Sequence, residues 1–227
     1  MVDVTTRNKK AELRSRLRRV LTEVTPERWQ TASAAASDRL VETIGLAQGT
    51  GTKEPRGVVS KVQTVMFYMP TAKELDISSA AAACLKKGLS VCLPRIDWRR
   101  NVLTPAAVSS WGMGTDQGEQ LVETRHGIFE PPAAAATVDS ARLDLVVVPG
   151  LAFDLRGGRL GKGGGFYDRF FGQPGVKAVK VGVGLDEQLV DEVPRDSWDV
   201  ALDFLVTPTR TMAFARDAGW TDRKSVV

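Results

Sequence analysis

Three consecutive valines, Val146 to Val148, lead into Pro149-Gly150 and then a glycine-rich cationic loop, and this segment constrains the chain more than any other. An unbroken β-branched run suits a strand covered on both faces, as in a parallel sheet with helices on either side. Pro149 and Gly150 end that strand, and Leu151-Ala152-Phe153 supplies an apolar patch beneath the turn. Asp154 reads as a turn former ahead of Gly157 and Gly158. From Arg159 to Asp168 the chain runs Arg-Leu-Gly-Lys-Gly-Gly-Gly-Phe-Tyr-Asp. The adjacent glycines Gly163 to Gly165 permit close backbone approach to a ligand. Lys162 adds a point charge, and Asp168 falls at a predicted helix start. A strand, a cationic glycine loop and an acid at a helix start suit a phosphate and its metal ion.

The rest of the chain alternates helices and strands. Leu13, Leu17, Val20, Leu21 and Val24 fall at helical spacing and predict a helix over residues 6–23. Thr25-Pro26 opens a second helix running to about residue 46. Further helices are predicted over residues 77–87, stopped by Gly88, and over 167–171 and 186–190. Strands are predicted over residues 62–69, 89–93, 143–148, 176–184 and 204–207, with 102–108 and 121–123 as additional candidates. Residues 49–57 read as a surface loop, 131–137 as a low-complexity loop, and the tail beyond 216 as mobile at its end. This alternation predicts an α/β fold, a three-layer αβα sandwich with a mostly parallel central sheet. At 227 residues one domain is expected, with its core over about residues 6–210.

Composition narrows the chemistry. A lone histidine, His126, excludes a histidine-cluster metal site and argues against a hydrolase triad. Cys84 and Cys92 fall in a predicted helix and strand and read as small core residues, not a zinc or redox pair. Chemistry is then left to Lys, Arg, Asp, Glu and backbone amides, a set suited to phosphoryl transfer, where positioning and charge neutralisation dominate. The net charge of +4 is concentrated at the N-terminus without interleaved aromatics, so an anionic small ligand accounts for it and no nucleic-acid partner is expected. No apolar run could span a bilayer, and no apolar signal core follows the basic N-terminus, so a cytoplasmic protein without a membrane partner is expected.

Generic phosphate motifs do not fit the glycine loop. Three residues separate Gly157 from Gly161 where a Walker loop has four, and Gly163 follows Lys162 in place of Ser or Thr. Phe166 stands where a dinucleotide fingerprint has its last glycine. The two-part segment instead closely resembles the signature of the 5-formyltetrahydrofolate cyclo-ligase family: Pro-Gly-Leu-Ala-Phe-Asp, a short polar turn, then Arg-Leu-Gly-basic-Gly-x-Gly-Tyr-Tyr-Asp. Phe166 replaces the first tyrosine, losing a hydroxyl but keeping a ring. The resemblance extends from Lys10 to Thr207. It implies a Rossmann-like fold similar to those of ribose-5-phosphate isomerase and the CoA-transferases. It also implies a monomeric enzyme with ATP as co-substrate and Mg²⁺ as cofactor, which cyclises 5-formyltetrahydrofolate to 5,10-methenyltetrahydrofolate with release of ADP and phosphate.

The resemblance also implies residue roles. Seven basic residues lie between Arg7 and Arg19, and each alone reads equally as part of a solvated helix face. At about 100° per residue, Arg7, Lys10, Arg14 and Arg18 form a stripe bordering the Leu13/Leu17 face. Lys10-Ala-Glu-Leu-Arg14 matches the family's Lys-x-x-x-Arg, whose cations contact ATP; Arg16, Arg18 and Arg19 stay at the surface. The implied nucleotide set is Lys10, Arg14, Arg159, Gly161, Lys162, Gly163, Gly164, Gly165, Phe166 and Tyr167, with Arg14, Lys162 and Tyr167 catalytic. Glu74 aligns with the family's folate-binding acid, although by position Glu74 and Asp76 read as helix N-terminal acids. Met69 and Phe166 are implied folate contacts, Met69 reading equally as core. Asp168 is the implied Mg²⁺ ligand, with Asp199 the second, in a segment where Trp198 replaces the family's common histidine. Arg95 is open between a phosphate contact and a structural salt bridge, and Glu130 between the folate side and a turn. The departures at Phe166 and Trp198 leave a non-catalytic folate- or nucleotide-binding relative open, beside an isomerase-like α/β enzyme.

Overall fold

A computed structural model describes residues 4–45, 62–111, 121–124 and 127–214. His126, the predicted loop at 49–57 and the tail beyond 216 lie outside the described residues. Helix α1 (Val4–Glu23) turns directly into α2 (Pro26–Thr43), and the Thr25 hydroxyl caps α2 by accepting the Arg28 N–H. Strand β1 (Thr64–Met66), α3 (Ser78–Lys86) and β2 (Ser90–Asp97) form a β-α-β crossover unit with parallel pairing. After β3 (Val102–Val108) come the short pair β4 (Val122–Glu123) and β5 (Phe129–Glu130), then the central strand β6 (Leu145–Pro149). A small hairpin, β7 (Ala152–Phe153) and β8 (Arg159–Leu160), carries the chain to α4 (Phe166–Phe171). Strands β9 (Val179–Val183), β10 (Phe204–Val206) and β11 (Thr211–Ala213) complete the sheet.

Seven strands run in the order β11-β10-β9-β6-β1-β2-β3. The inner five pair parallel, and only the edge strands β3 and β11 are antiparallel. Alternation along the strands divides the core. Val65, Phe67, Val91, Leu93, Val147 and Val183 face α2 and α3, whereas Met66, Cys92, Val146, Val148 and Leu205 face the side of α4, where Phe153 and Phe170 pack. Both faces of the valine run are therefore covered, as its composition predicts. A third, smaller cluster joins Leu13 and Leu17 of α1 to Ala152, Leu160 and Val193, so α1 packs on the β7–β8 hairpin. Among the described residues no helix is long and apolar enough to cross a membrane.

The structure corrects several sequence expectations. Residues 186–190 are not an α-helix but one 3-10 turn, Asp186–Gln188, because the Gln188 side chain folds back to accept the Leu185 N–H and donate to the Gly150 and Leu151 carbonyls. The hairpin β7–β8 and the strands β5 and β11 are too short for periodicity to reveal. The predicted strand at 62–69 pairs over only three residues. The loop at 131–137 is docked, not free: Ala107 and Val138 hydrogen-bond between it and β3, and Arg95 donates to the carbonyls of Pro132, Ala133 and Ala135. Arg95 forms no salt bridge among the described residues, its Nη1 and Nη2 donating to those carbonyls and to the Thr137 hydroxyl.

Candidate active site

Chain order reverses between β1 and β6: from β1 the chain builds outward through β2, and from β6 it builds the other way through β9 and β10. In an open parallel sheet this leaves a crevice beyond the carboxyl ends of the two strands. A cavity of about 520 Å³ opens there, between Tyr68 and Met69 after β1 and Pro149 and Gly150 at the end of β6. Met69, Glu74, Arg159, Gly161, Lys162, Gly164, Gly165, Phe166, Tyr167 and Asp168 all line it. Residues far apart in sequence, each singled out above, are brought to one wall-to-wall space.

The glycine loop spans from β8 to α4. Gly163 and Gly165 have φ of 116° and 64°, conformations that suit glycine and that swing the loop into the α4 start. The Arg14 side chain covers this loop, donating Nε–H to the Gly161 carbonyl at 3.0 Å and lying 3.8 Å from where a Cβ on Gly163 would be. Burial and the neighbouring Arg18 charge lower the pKa of Arg14, Asp199 opposing them, but a guanidinium remains charged at any working pH. Lys162 does not point into open solvent. Its ammonium lies 2.7 Å from Glu74 Oε1 and 3.0 Å from the Thr71 hydroxyl.

Glu74 lies three residues too early to be a helix-start acid, which corrects its positional reading. It occupies a turn before α3, where its Oε2 accepts both the N–H and the hydroxyl of Thr71. Asp76 takes the helix-start role instead by accepting from Ser78. The Glu74 side chain is only 8% exposed, although it faces the cavity. Burial, reinforced by the Glu74 charge and opposed by Arg159, raises the phenol of Tyr167 above its ordinary range, so it stays protonated. Burial likewise raises Tyr68, whose hydroxyl donates to the Leu75 carbonyl. Met69 both packs on the core and lines the cavity. Glu130 is buried on β5, accepting the Ile96 N–H at 2.9 Å and lining the cavity; it is not a turn residue.

Asp168 accepts two bonds from Arg159 Nη2, at 3.1 and 3.2 Å, and the Val200 N–H at 3.3 Å. Arg159 is 4% exposed, lies over the Tyr167 ring and has an Nε with no acceptor among the described residues. Lys10 and Asp199 stand together off the cavity lining. The Lys10 ammonium is gripped by Asp196 at 2.6 Å and by Asp199, which also accepts the Asp196 N–H. Among the described residues no group of three or more His, Cys, Asp or Glu could cage a metal. Mg²⁺ asks for less, one or two carboxylates with water and substrate phosphates; Asp168 lies at the cavity wall, bonded in this arrangement to Arg159 and the Val200 N–H. Asp199 is committed to Lys10 in this arrangement.

Thr71, Trp98 and Ile96 also line the cavity and carry no motif that would mark them in the sequence. Trp98 packs against Phe166 in a T-shaped arrangement at 5.1 Å, and the Arg169 guanidinium lies over the Phe166 ring at 5.2 Å. The ring that replaces a tyrosine is therefore packed into the wall. Trp198 is 46% exposed and is not a lining residue, so its departure from the family pattern leaves the cavity untouched. Cys84 and Cys92 are buried, and burial pushes both thiols up to about 12, consistent with inert core residues.

Comparison with known proteins supports this fold. The 5-formyltetrahydrofolate cyclo-ligase family profile matches residues 6–208. A relative from Mycolicibacterium smegmatis named 5-formyltetrahydrofolate cyclo-ligase is 34% identical over 159 residues, covering 68% of this chain and 78% of its own. One of the same name from Escherichia coli K12 is 32% identical over 190 residues, covering 82% and 93%. The solved structure of Aquifex aeolicus 5,10-methenyltetrahydrofolate synthetase superposes with a TM-score of 0.71 at 27% identity, covering 95% of this chain and 98% of that one.

Proposed function

This chain belongs to the 5-formyltetrahydrofolate cyclo-ligase family, and from that premise we propose that its cavity brings together 5-formyltetrahydrofolate and ATP and closes the folate ring to 5,10-methenyltetrahydrofolate, releasing ADP and phosphate. One observation carries the reading: Lys162 of the glycine loop and Glu74 of the turn after β1 face the same cavity. A γ-phosphate held by the loop and a formyl group oriented by the acid would therefore meet.

The formyl carbon is an unreactive amide, so its oxygen must first become a leaving group. Transfer of the γ-phosphoryl group to that oxygen does this and leaves ADP. N10 then attacks the formyl carbon, its proton is lost as the ring closes, and the C–O bond breaks to release phosphate carrying the former formyl oxygen. Glu74 is suited to the guanidine-like edge of the pterin, whose N–H donors a carboxylate oxygen can accept. Met69, Phe166 and Tyr167 supply apolar and aromatic walls for the flat ring. Lys162, Arg14 and the loop amides of Gly161 and Gly163 to Gly165 neutralise the transferring phosphoryl group, where charge spreads over its oxygens. The Arg159 Nε–H, without an acceptor among the described residues, is a further donor for an anionic oxygen, and Lys10, held by Asp196 and Asp199 in this arrangement, would add positive charge on release from them. Asp168 is the residue that would hold Mg²⁺, which when bound neutralises phosphate charge, and Asp199 would contribute on release from Lys10. No covalent enzyme intermediate is needed.

The oxygen balance gives a direct test. Substrate labelled with ¹⁸O in the formyl group should deliver its label into inorganic phosphate, read by mass spectrometry. Label recovered in water with unlabelled phosphate would sink the phosphorylation step.

A further inference from the structure

The reading above makes Lys162 a phosphate ligand and Glu74 a folate ligand, yet they are bonded to each other, and a third side chain holds both. Thr71 is that residue. Its hydroxyl accepts from Lys162 Nζ at 3.0 Å and donates to Glu74 Oε2 at 2.8 Å, while its backbone N–H donates to the same oxygen at 2.9 Å. A hydroxyl has one donor and two acceptor sites, so this single group can serve both neighbours at once. Glu74 Oε2 is thus occupied by Thr71 alone, and Oε1 is left for Lys162 at 2.7 Å. The Lys162 side chain is 50% exposed and its stem is flexible, whereas Glu74 is 8% exposed and fixed. The cation is the partner free to move.

We infer that Thr71 is a positioning residue of the cyclo-ligase reaction: its hydroxyl orients the Glu74 carboxylate for the pterin edge and rests the Lys162 ammonium beside that carboxylate until the nucleotide takes it. This rests on the proposed function. With Oε2 locked, Oε1 can turn only from the lysine to the incoming pterin donors, so folate affinity depends on the hydroxyl. ATP affinity does not require it, because the hydroxyl holds Lys162 away from the phosphates.

Thr71→Val keeps the branched shape and the backbone N–H and removes only the hydroxyl. Titration calorimetry of 5-formyltetrahydrofolate and of a non-hydrolysable ATP analogue, with turnover of the unaltered protein measured alongside, separates the possibilities. Thr71→Val should weaken folate binding about tenfold, the size expected for losing one hydrogen bond to a charged group, with the Kd for the ATP analogue not raised. Thr71→Ser should restore the folate Kd to within about twofold of the original. A folate Kd unchanged in Thr71→Val, a parallel weakening of both ligands, or no rescue by serine would each overturn the role. If the unaltered protein neither binds folate nor turns it over, the proposed function itself fails and this role falls with it. An active unaltered protein with an indifferent Thr71→Val variant defeats the role alone.

Discussion

The carboxylate of Asp168 accepts from Arg159 and from the Val200 N–H, and it faces the cavity, so one side chain joins the start of α4, strand β8 and the segment after residue 193. Asp168→Asn preserves the shape while removing the charge. Turnover should fall by about 10²- to 10³-fold or more, and the lone Arg159 charge left behind should cost about 3 kcal/mol of stability. Full activity in this variant, with normal metal dependence, would remove Asp168 from the metal assignment. Lys162→Ala makes the complementary point: the apparent KM for ATP should rise about tenfold or more, while that for folate should not rise, because Glu74 loses a competitor. Equal effects on both would mean the lysine merely supports the loop. At Phe166 the ring is already packed against Trp98 and under Arg169, so Phe166→Tyr should change kcat by less than about threefold. A large gain would identify the natural chain as a weakened enzyme.

At the scale of elements, the β7–β8 hairpin is tied to the segment after Val190 by one buried acid. Asp154 Oδ1 accepts the N–H groups of Arg156 and Gly158, Oδ2 accepts the Val193 N–H, and Arg195 bridges both oxygens. Burial works to raise this carboxyl, but the three backbone donors and Arg195 win and hold it below the usual range. A depressed folded pKa contributes stability above the unfolded value of about 3.9, lost as pH falls below it through the folded value. Asp154→Asn should therefore cost about 3 kcal/mol near neutral pH, with the gap to the unaltered protein narrowing below about pH 4. A gap independent of pH would show that shape, not charge, holds the hairpin. The sequence marks Asp154 as a turn former because it precedes Gly157 and Gly158. It does not disclose the partners from residues 193 and 195, since those contacts arise only when the hairpin packs under α1. The same holds for β7 and β8, two residues each, whose pairing is fixed by tertiary contact and not by periodicity.

For the whole molecule, the legible features were those written in local pattern: the doubly buried valine strand, the capped helices of the N-terminus, and the glycine loop leading into α4. Those suffice for an α/β sheet with a cationic glycine loop leading into α4. Thr71 and Trp98 were not legible, because isolated residues in turns acquire a role only through what the fold sets opposite them. Nor could spacing alone reveal that Lys10 would be gripped by Asp196 and Asp199, an arrangement that needs α1 and the 193–200 segment side by side. The topology explains why the site residues converge. With β1 and β6 adjacent at the reversal of strand order, their carboxyl-end loops carry Glu74 and the glycine loop into one crevice, where Lys162 lies 2.7 Å from Glu74. The central claim is that this crevice joins ATP use to folate ring closure, and the most direct measurement is the absorbance of methenyltetrahydrofolate after 5-formyltetrahydrofolate is added to the purified protein with and without MgATP. The account predicts a rise that requires both ATP and enzyme and is matched by ADP release. Product formed equally without ATP, or ATP consumed with no product, would contradict it.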